Sequence, residues 1–292
     1  MTRSVRCGWF CGVAALLSLA SCSVGAMRSD RLTLEFAAGN VDSDELVELA
    51  EQGDHVAEYL LGFARETGTG VDEDLTEALY WYGRAAEAGH PAAQNNLGMM
   101  YFEGRGVEAS HAVARRWFER AAEVGFAKAQ VNLGVLSLCG TDRPSDEAAA
   151  RSLFEQAARQ GLARGQALFG LACYEGVGGD VDRAAAATWL RRAAEQDVQV
   201  AQHRLAMQLL AGDGVAQDEG EAADWLRRAS EAGSAAAQHD LALLYVRGTG
   251  VAIDRSEARR LLQLAAAQGL ETARQRLALL DRSDAQLAQP AR

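Results

Sequence analysis

The sequence predicts an all-α protein, a right-handed α-solenoid of stacked helix-turn-helix repeats, each 36 residues long. Two observations support this prediction. The chain of 292 residues has only 3 prolines and is rich in alanine, which favours helices over strands. A glycine also recurs every 36 residues, and several other columns keep the same phase. A repeat of this length buries its apolar face only by stacking on its neighbours.

Three columns define the repeat. The leading column holds Gly53, Gly89, Gly125, Gly161, Asp197, Gly233 and Gly269. A second column holds Gly68, Gly104, Gly140, Gly176, Gly212 and Gly248. A third column holds Trp81, Trp117, Leu153, Trp189, Trp225 and Leu261. Six full repeats therefore cover residues 53–268, and half-repeats at 42–52 and 269–280 complete a solenoid over 42–280.

Each repeat is predicted to form two helices. The first is exemplified by "PAAQNNLGMMYFEG" at 91–104, where Pro91 suits the first turn and Gly104 suits a left-handed helix end. The second helix begins after a capping residue, which is Asp74, Ser110, Asp146, Asp182, Asp218 or Asp254. Glu77, Glu221 and Glu257 lie three residues later and predict capping boxes.

The Gly-x-Gly loops between the helices could be taken for phosphate-binding loops, but they recur in most repeats. None follows a strand or ends in Gly-Lys-Ser/Thr, so they are interpreted as turns. Gly104 should resist replacement, whereas Gly106 should tolerate it because Asp142 occupies the same column. The loops at 142–143 and 178–179 lack the valine expected to anchor them. They are candidates for a flexible joint or altered curvature between repeats three and four.

The N-terminal residues have the features of an export signal. Arg3 and Arg6 precede an apolar run at 7–20 that is too short for a confident membrane span. The run ends in Leu19-Ala20-Ser21-Cys22, which resembles the lipobox of bacterial lipoproteins. This resemblance implies a signal peptide at 1–21, a lipidated Cys22 and an outer-membrane anchor facing the periplasm. Ordinary secretion with cleavage after Ala26 is the alternative.

The segments that flank the solenoid carry weaker signals. Residues 22–41 are a spacer and capping segment, in which "RLTLEF" alternates like a strand but is interpreted as a loop, and residues 281–292 form a C-terminal tail. Cys139 and Cys173 could form a disulfide, although two small buried side chains are the favoured interpretation. The net charge of −11 argues against nucleic acid as a partner.

The pattern A-x-x-G-x-x-x-A-x-x-x-L-G-x-x-Y-x-x-G-x-G-V-x-x-D resembles the Sel1-like repeat, a relative of the tetratricopeptide repeat. The resemblance implies a scaffold that binds partner proteins and has no catalytic activity or cofactor of its own. Similar repeat lipoproteins act in envelope assembly and polysaccharide secretion. Because other secreted relatives are associated with penicillin binding, the alternative is an enzyme or ligand binder of the β-lactamase type.

The sequence disfavours the enzymatic alternative. Its chemistry needs Ser-x-x-Lys, and Gly125 lies three residues before the only lysine, Lys128. His203 and His239 share a column one repeat apart and could bring two imidazoles together for a metal. No third ligand is evident, so two polar groove or surface residues are the preferred interpretation.

An apolar stripe on the first helices is the candidate partner-binding groove. The resemblance places the concave surface of the solenoid on this stripe, beside a core face that holds Ala93, Leu97 and Tyr101. The alternative is that the stripe is further core. Its members are Phe63, Asn95, Met99, Phe102, Val135, Leu171, Tyr174, His203, Met207, His239 and Leu243. Such a groove would suit an extended or helical segment of a partner protein.

Overall fold

The computed structural model describes Leu32, Phe36 and residues 43–287, with side chains from 44 to 284 in the continuous part. Fourteen helices lie between residues 43 and 287. They are α1 (Ser43–Glu51), α2 (His55–Thr67), α3 (Leu75–Glu87), α4 (Pro91–Glu103), α5 (His111–Glu123), α6 (Ala127–Cys139), α7 (Glu147–Arg159), α8 (Ala163–Glu175), α9 (Arg183–Glu195), α10 (Gln199–Ala211), α11 (Glu219–Glu231), α12 (Ala235–Arg247), α13 (Arg255–Ala267) and α14 (Glu271–Leu287).

The predicted fold class is confirmed. The helices form consecutive packed pairs, and no strand occurs among the described residues. The chain divides into two compact units, with the boundary between Gly165 and Gln166 inside α8. Leu32 and Phe36 are both helical, so the alternating "RLTLEF" segment does not form a strand at these positions, nor the loop that we expected.

The predicted capping residues do precede the second helices, but the prediction of capping boxes is wrong. Asp74 accepts hydrogen bonds from the backbone N–H groups of Thr76 and Glu77, as an N-cap residue should. In a capping box, Glu77 would accept from the N–H of Asp74 in return. That N–H instead donates to the carbonyl of Arg65, and the Glu77 carboxylate pairs with the Arg65 guanidinium at 2.7 Å. The first helix of each pair therefore accepts the hydrogen bond from the backbone N–H of the residue that caps the second helix.

The core contains a column that the sequence patterns did not reveal. One residue after the tryptophan column, the second helices carry a side chain that is at most 1% exposed: Tyr82, Phe118, Phe154, Leu190, Leu226 or Leu262. This side chain packs against a small residue of the preceding first helix. A Cβ on Gly98 would lie 2.6 Å from Cε1 of Phe118, and one on Gly134 would lie 2.6 Å from Cε1 of Phe154. The glycines thus let an aromatic ring touch the helix backbone.

The tryptophans lie beside this core column and carry an arginine on one face. Arg84, Arg120, Arg192 and Arg228 each lie three residues after a tryptophan, with the guanidinium carbon 4.5–5.3 Å from the ring centroid. Where leucine replaces tryptophan, at 153 and 261, the residue three positions later is Gln156 or Leu264. The guanidinium gains a cation–π attraction only where the aromatic ring is present, which accounts for the pairing of the two residues.

The loop glycines differ from expectation at Gly106. Gly104 has φ of 72° and ends α4, as predicted. Gly106 also has a positive φ, of 70°, and its Cβ would lie 2.9 Å from the carbonyl oxygen of Leu75. Asp142 is not an example of tolerance, because Asp197 is the only non-glycine residue with positive φ in the described chain. The third loop follows a different path at this position.

We therefore expect Gly106→Ala to destabilise at least as much as Gly104→Ala, which reverses the order expected from sequence. Positive φ costs alanine about 1–2 kcal/mol at both sites, and the backbone clash adds to this at Gly106. A Cβ on Gly104 would lie 3.2 Å from the Cβ of Ala109 and 3.5 Å from its backbone nitrogen, which are looser contacts. Thermal melts of the two variants decide the order, and a smaller loss at Gly106 would contradict it.

The two loops without the expected valine are nevertheless anchored. In the third loop, Asp142 forms a buried ion pair with Arg115 of α5. In the fourth loop, Val177 is only 3% exposed, and its N–H donates to the carbonyl of Ala172. Each loop therefore has its own buried contact with the helices.

Candidate partner-binding site

The predicted stripe lies on α2, α4, α6, α8, α10 and α12, the first helices of the six repeats. Phe63, Asn95 and Leu171 are buried, and Met207 is 38% exposed. The remaining members are half-buried: Met99, Phe102, Val135, Tyr174, His203, His239 and Leu243. Of the predicted core face, Ala93 and Leu97 are buried and Tyr101 is half-buried. The role of the stripe as a groove stays a prediction.

In the first unit, aromatic side chains contact the stripe at two points. The ring of Phe36 meets Phe63 edge-on, with centroids 6.2 Å apart. The ring of Phe102 lies 5.0 Å from that of His111 at the start of α5. Aromatic pairs at such distances add a modest attraction to the burial of their surface.

Polar bonds join successive first helices of this unit beside the stripe. The side-chain amide of Asn132 on α6 donates to the Asn95 oxygen on α4, 2.9 Å away. The Asn132 oxygen accepts from Arg164 of α8 at 3.1 Å. Asn95 is only 5% exposed, so these bonds satisfy amide groups that would be costly to bury alone. They fix the register of neighbouring repeats.

In the second unit, two arginines flank the ring of Tyr174. The guanidinium carbons of Arg183 and Arg204 lie 3.8 and 4.7 Å from its centroid. Arg183 also pairs with Asp213 at 3.2 Å, and Arg204 lies 3.7 Å from Glu175. Side chains from α9 and α10 therefore both pack on the tyrosine ring and stabilise its position.

His203 and His239 do come together, but on a carboxylate that we did not identify from the sequence. Nε2 of His203 lies 2.8 Å from one oxygen of Asp240, and Nδ1 of His239 lies 2.7 Å from the other. Burial alone would raise the pKa of Asp240, but the hydrogen bonds and charges of the two histidines outweigh it and lower that pKa below its usual value. No group of three His, Cys, Asp or Glu side chains in the described chain is placed to hold a metal.

Asp240 could have been found from one sequence offset. It follows His203 by 37 residues, which is the separation of Asn95 and Asn132. In neighbouring repeats, a stripe residue of one first helix therefore contacts the residue that follows the equivalent stripe position in the next first helix. The repeat length of 36 residues predicts contacts between residues of the same column, and it does not predict this shift by one residue.

A second histidine site gives a pH prediction for the first unit. His90 is 3% exposed, and its Nδ1 accepts from the N–H of Ala93 at the start of α4. Burial, and secondarily the charge of His55, lower the pKa of His90 to about 4. An unfolded histidine titrates near 6.5, so the unfolded chain binds the proton first.

The contribution of His90 to the free energy of unfolding should be fully present above pH 6.5 and should disappear as pH falls towards 4. The change is on the order of 3 kcal/mol for such a pKa difference. His90→Ser removes the titration and keeps a cap, since Ser234 caps α12 at the same repeat position. Denaturant unfolding of both proteins from pH 7 to 4 tests this. Parallel pH profiles would contradict it.

Several sequence predictions concern residues outside the described range. The signal peptide at 1–21, Cys22 and the cleavage site at Ala26 all lie there. None of the helices in the described range is both long and apolar enough to cross a bilayer. Cys173 is a buried thiol, in keeping with the favoured interpretation of that residue, so the Cys139–Cys173 disulfide is not formed. Cys139 is half-buried and disulfide-bonded, so the interpretation as a small buried side chain is wrong for Cys139.

Helix pairs of constant length, capped and packed in the same way along the chain, define an α-solenoid protein. The Sel1 repeat family model matches residues 55–90, 91–126, 127–162, 165–198, 199–234 and 235–270. The chain therefore belongs to the Sel1 repeat family. Such proteins are typically scaffolds for protein–protein interaction, and the fold is typically non-enzymatic.

Two solved structures support this assignment. One is a protective antigen with an SLR fold from uropathogenic Escherichia coli strains: it has 34% sequence identity and a TM-score of 0.78, over 87% of this chain and 54% of the antigen. This chain therefore spans about half the length of that antigen. The other is a Sel1 repeat protein from Oxalobacter formigenes, with 28% identity and a TM-score of 0.71 over 80% of this chain and 94% of that protein. No curated protein matches the chain significantly.

Proposed function

We propose that this chain is a lipid-anchored periplasmic scaffold that binds partner proteins through the stripe, in envelope assembly or polysaccharide secretion. The observation that carries the binding role is Met207, which is 38% exposed on α10 beside half-buried His203. An exposed methionine can adapt its shape to a partner and is over-represented on binding surfaces. The lipobox around Cys22 supports the anchor.

Cys22→Ser should release the protein into the soluble periplasmic fraction, because no thiol remains at the lipobox position to receive a lipid. Cell fractionation and radioactive palmitate labelling measure this. Cys11→Ser changes a cysteine of the preceding apolar run and should leave labelling intact. Wild-type protein without label would refute the anchor, whatever the result at the stripe.

The binding role can be tested with a photo-crosslinking benzoylphenylalanine at position 207 in intact cells. Specific crosslinked products are expected there because the partner covers Met207. The matched control is the same amino acid at position 80, since Tyr80 is 58% exposed on α3, a second helix of its repeat. Identical products at both positions, or none at 207, would contradict the proposed role of the stripe.

A further inference from the structure

We propose that the C-terminal part of the stripe binds an acidic, amphipathic peptide segment of a partner protein. This inference rests on the proposed scaffold function and adds the chemistry of the ligand. The surface comprises Leu243 and Arg247 on α12 and Arg276, Leu279 and Arg282 on α14. We call these five residues the C-terminal patch.

The patch combines apolar and basic side chains on neighbouring helix faces. Leu243 and Arg247 are one helical turn apart on α12. Arg276, Leu279 and Arg282 follow at intervals of three on α14, which places them on one face. Leu279 is 53% exposed, and all three arginines are exposed. An exposed leucine between arginines is available to a ligand.

The two helices of the patch are successive first helices of the repeat. Asn95 and Asn132 are 37 residues apart and in contact, as are His203 and Asp240, and by the same offset Arg276 is the position that corresponds to His239. Leu279 occupies the repeat position of Leu243 and Met207. The patch therefore continues the stripe, where the preceding repeat has Asp240 and Val246 in place of Arg276 and Arg282.

The charges of the patch are not neutralised within the described chain. Arg247, Arg276 and Arg282 form no side-chain hydrogen bond or ion pair there. The arginines of α13 behave differently, because Arg255 and Arg259 pair with Asp284 on another side of α14. In a chain with net charge −11, three exposed arginines without acidic partners are a local exception. They favour a ligand that supplies carboxylates.

The size of the patch favours a peptide over a larger polyanion. Nucleic acid or an anionic bilayer would extend beyond the patch and meet the acidic remainder of the surface, which repels it. A short segment engages only the charges within about one Debye length, roughly 10 Å at 0.1 M salt. The leucines would contact apolar residues of the segment, and a helix with apolar residues at i and i+4 offers the matching stripe.

The test is fluorescence anisotropy of the full chain with three labelled peptides. The first is a short helical peptide with leucines at i and i+4 flanked by glutamates, the second has lysines for the glutamates, and the third has serines for the leucines. We expect the first to bind at least tenfold more tightly than either of the others, with affinity that falls as salt rises. No preference for the Leu/Glu peptide over the Leu/Lys peptide would overturn the proposal.

Charge-reversal variants locate the binding. Arg276→Glu combined with Arg282→Glu should raise the Kd of the Leu/Glu peptide about tenfold or more. The control is Arg116→Glu, because Arg116 of α5 is also exposed and belongs to the first unit. An equal effect at Arg116 would mean general electrostatics and would refute the patch. Position-specific crosslinking at 207 together with an unaltered Kd would leave the scaffold function intact and reject only the acidic ligand.

Discussion

Asp142→Asn should lower the free energy of unfolding by about 3–5 kcal/mol, because it leaves the Arg115 guanidinium charged and buried without its counter-ion. The Arg115 side chain is 3% exposed and that of Asp142 is 8% exposed. Both oxygens of Asp142 accept from the guanidinium at 2.6 Å, while Ser137 and the carbonyl of Leu136 accept its other hydrogens at 3.2 Å. Amide oxygen accepts only one of the two short bonds and carries no charge.

The same pair makes stability depend on pH in the acid range. The hydrogen bonds from Arg115 lower the pKa of Asp142 below its usual value, so the unfolded chain takes up the proton first. The contribution is therefore present above the unfolded pKa near 3.9 and is lost as pH falls through the folded pKa. Asp142→Asn should abolish this part of the acid sensitivity.

Two controls separate the buried pair from surface charge effects. Glu119→Gln breaks a solvent-exposed pair with Arg143 and should cost less than about 1 kcal/mol. Arg115→Ala with Asp142→Gly recreates the residues found at Ala187 and Gly214, the same two columns in another repeat. This double variant should recover most of the loss. An Asp142→Asn protein that unfolds at the wild-type denaturant concentration would disprove the role of the pair.

The repeat columns were sufficient to predict the helices and their ends. Gly104 ends α4, and Asp74 caps α3, because a single residue's backbone preference decides each of these features. The Arg115–Asp142 pair could not be predicted in this way. Asp142 stands in a glycine column and its partner is 27 residues earlier, so the interaction exists only when the fold brings α5 to the third loop.

The candidate site was predicted less completely than the fold. The stripe follows from helical spacing, but spacing does not report how deeply each position is buried, and Leu171 is 0% exposed whereas Met207 is 38% exposed. The sequence predicted that the two histidines share a column, but it did not predict Asp240. The hydrogen bond between His203 and Asp240 depends on the shift of one residue between neighbouring first helices. Contacts between repeats, rather than within them, limit inference from a single sequence.

The core column beside the tryptophans was also missed, although the sequence contains a signal for it. Glycine at 62, 98 and 134 accompanies Tyr82, Phe118 and Phe154, whereas Ala206 and Ala242 accompany Leu226 and Leu262. Gly170 with Leu190 is the exception. A smaller residue on the first helix is thus matched by a larger side chain on the second helix, as close packing requires.

Gly98→Ala should therefore destabilise by about 1–3 kcal/mol, although alanine favours a helix over glycine by about 1 kcal/mol. The added Cβ would lie 2.6 Å from Cε1 of Phe118 and 3.2 Å from the carbonyl oxygen of Ala114, and neither neighbour can withdraw far inside a packed core. Gly83→Ala is the control, because a Cβ there meets nothing within 4 Å on the helical α3. It should stabilise by up to about 1 kcal/mol.

Phe118→Leu should rescue Gly98→Ala, because the double variant recreates the packing of Ala206 with Leu226, both 0% exposed. Alone, Phe118→Leu leaves unfilled space against Gly98 and should cost about 1 kcal/mol or more. The two changes together should cost less than their sum by at least about 1 kcal/mol, which is the range of coupling between residues in contact. Denaturant unfolding of the four proteins gives this coupling energy directly. If the effects were simply additive, the glycine and the ring would be independent, and the volume exchange between these columns would have no energetic basis.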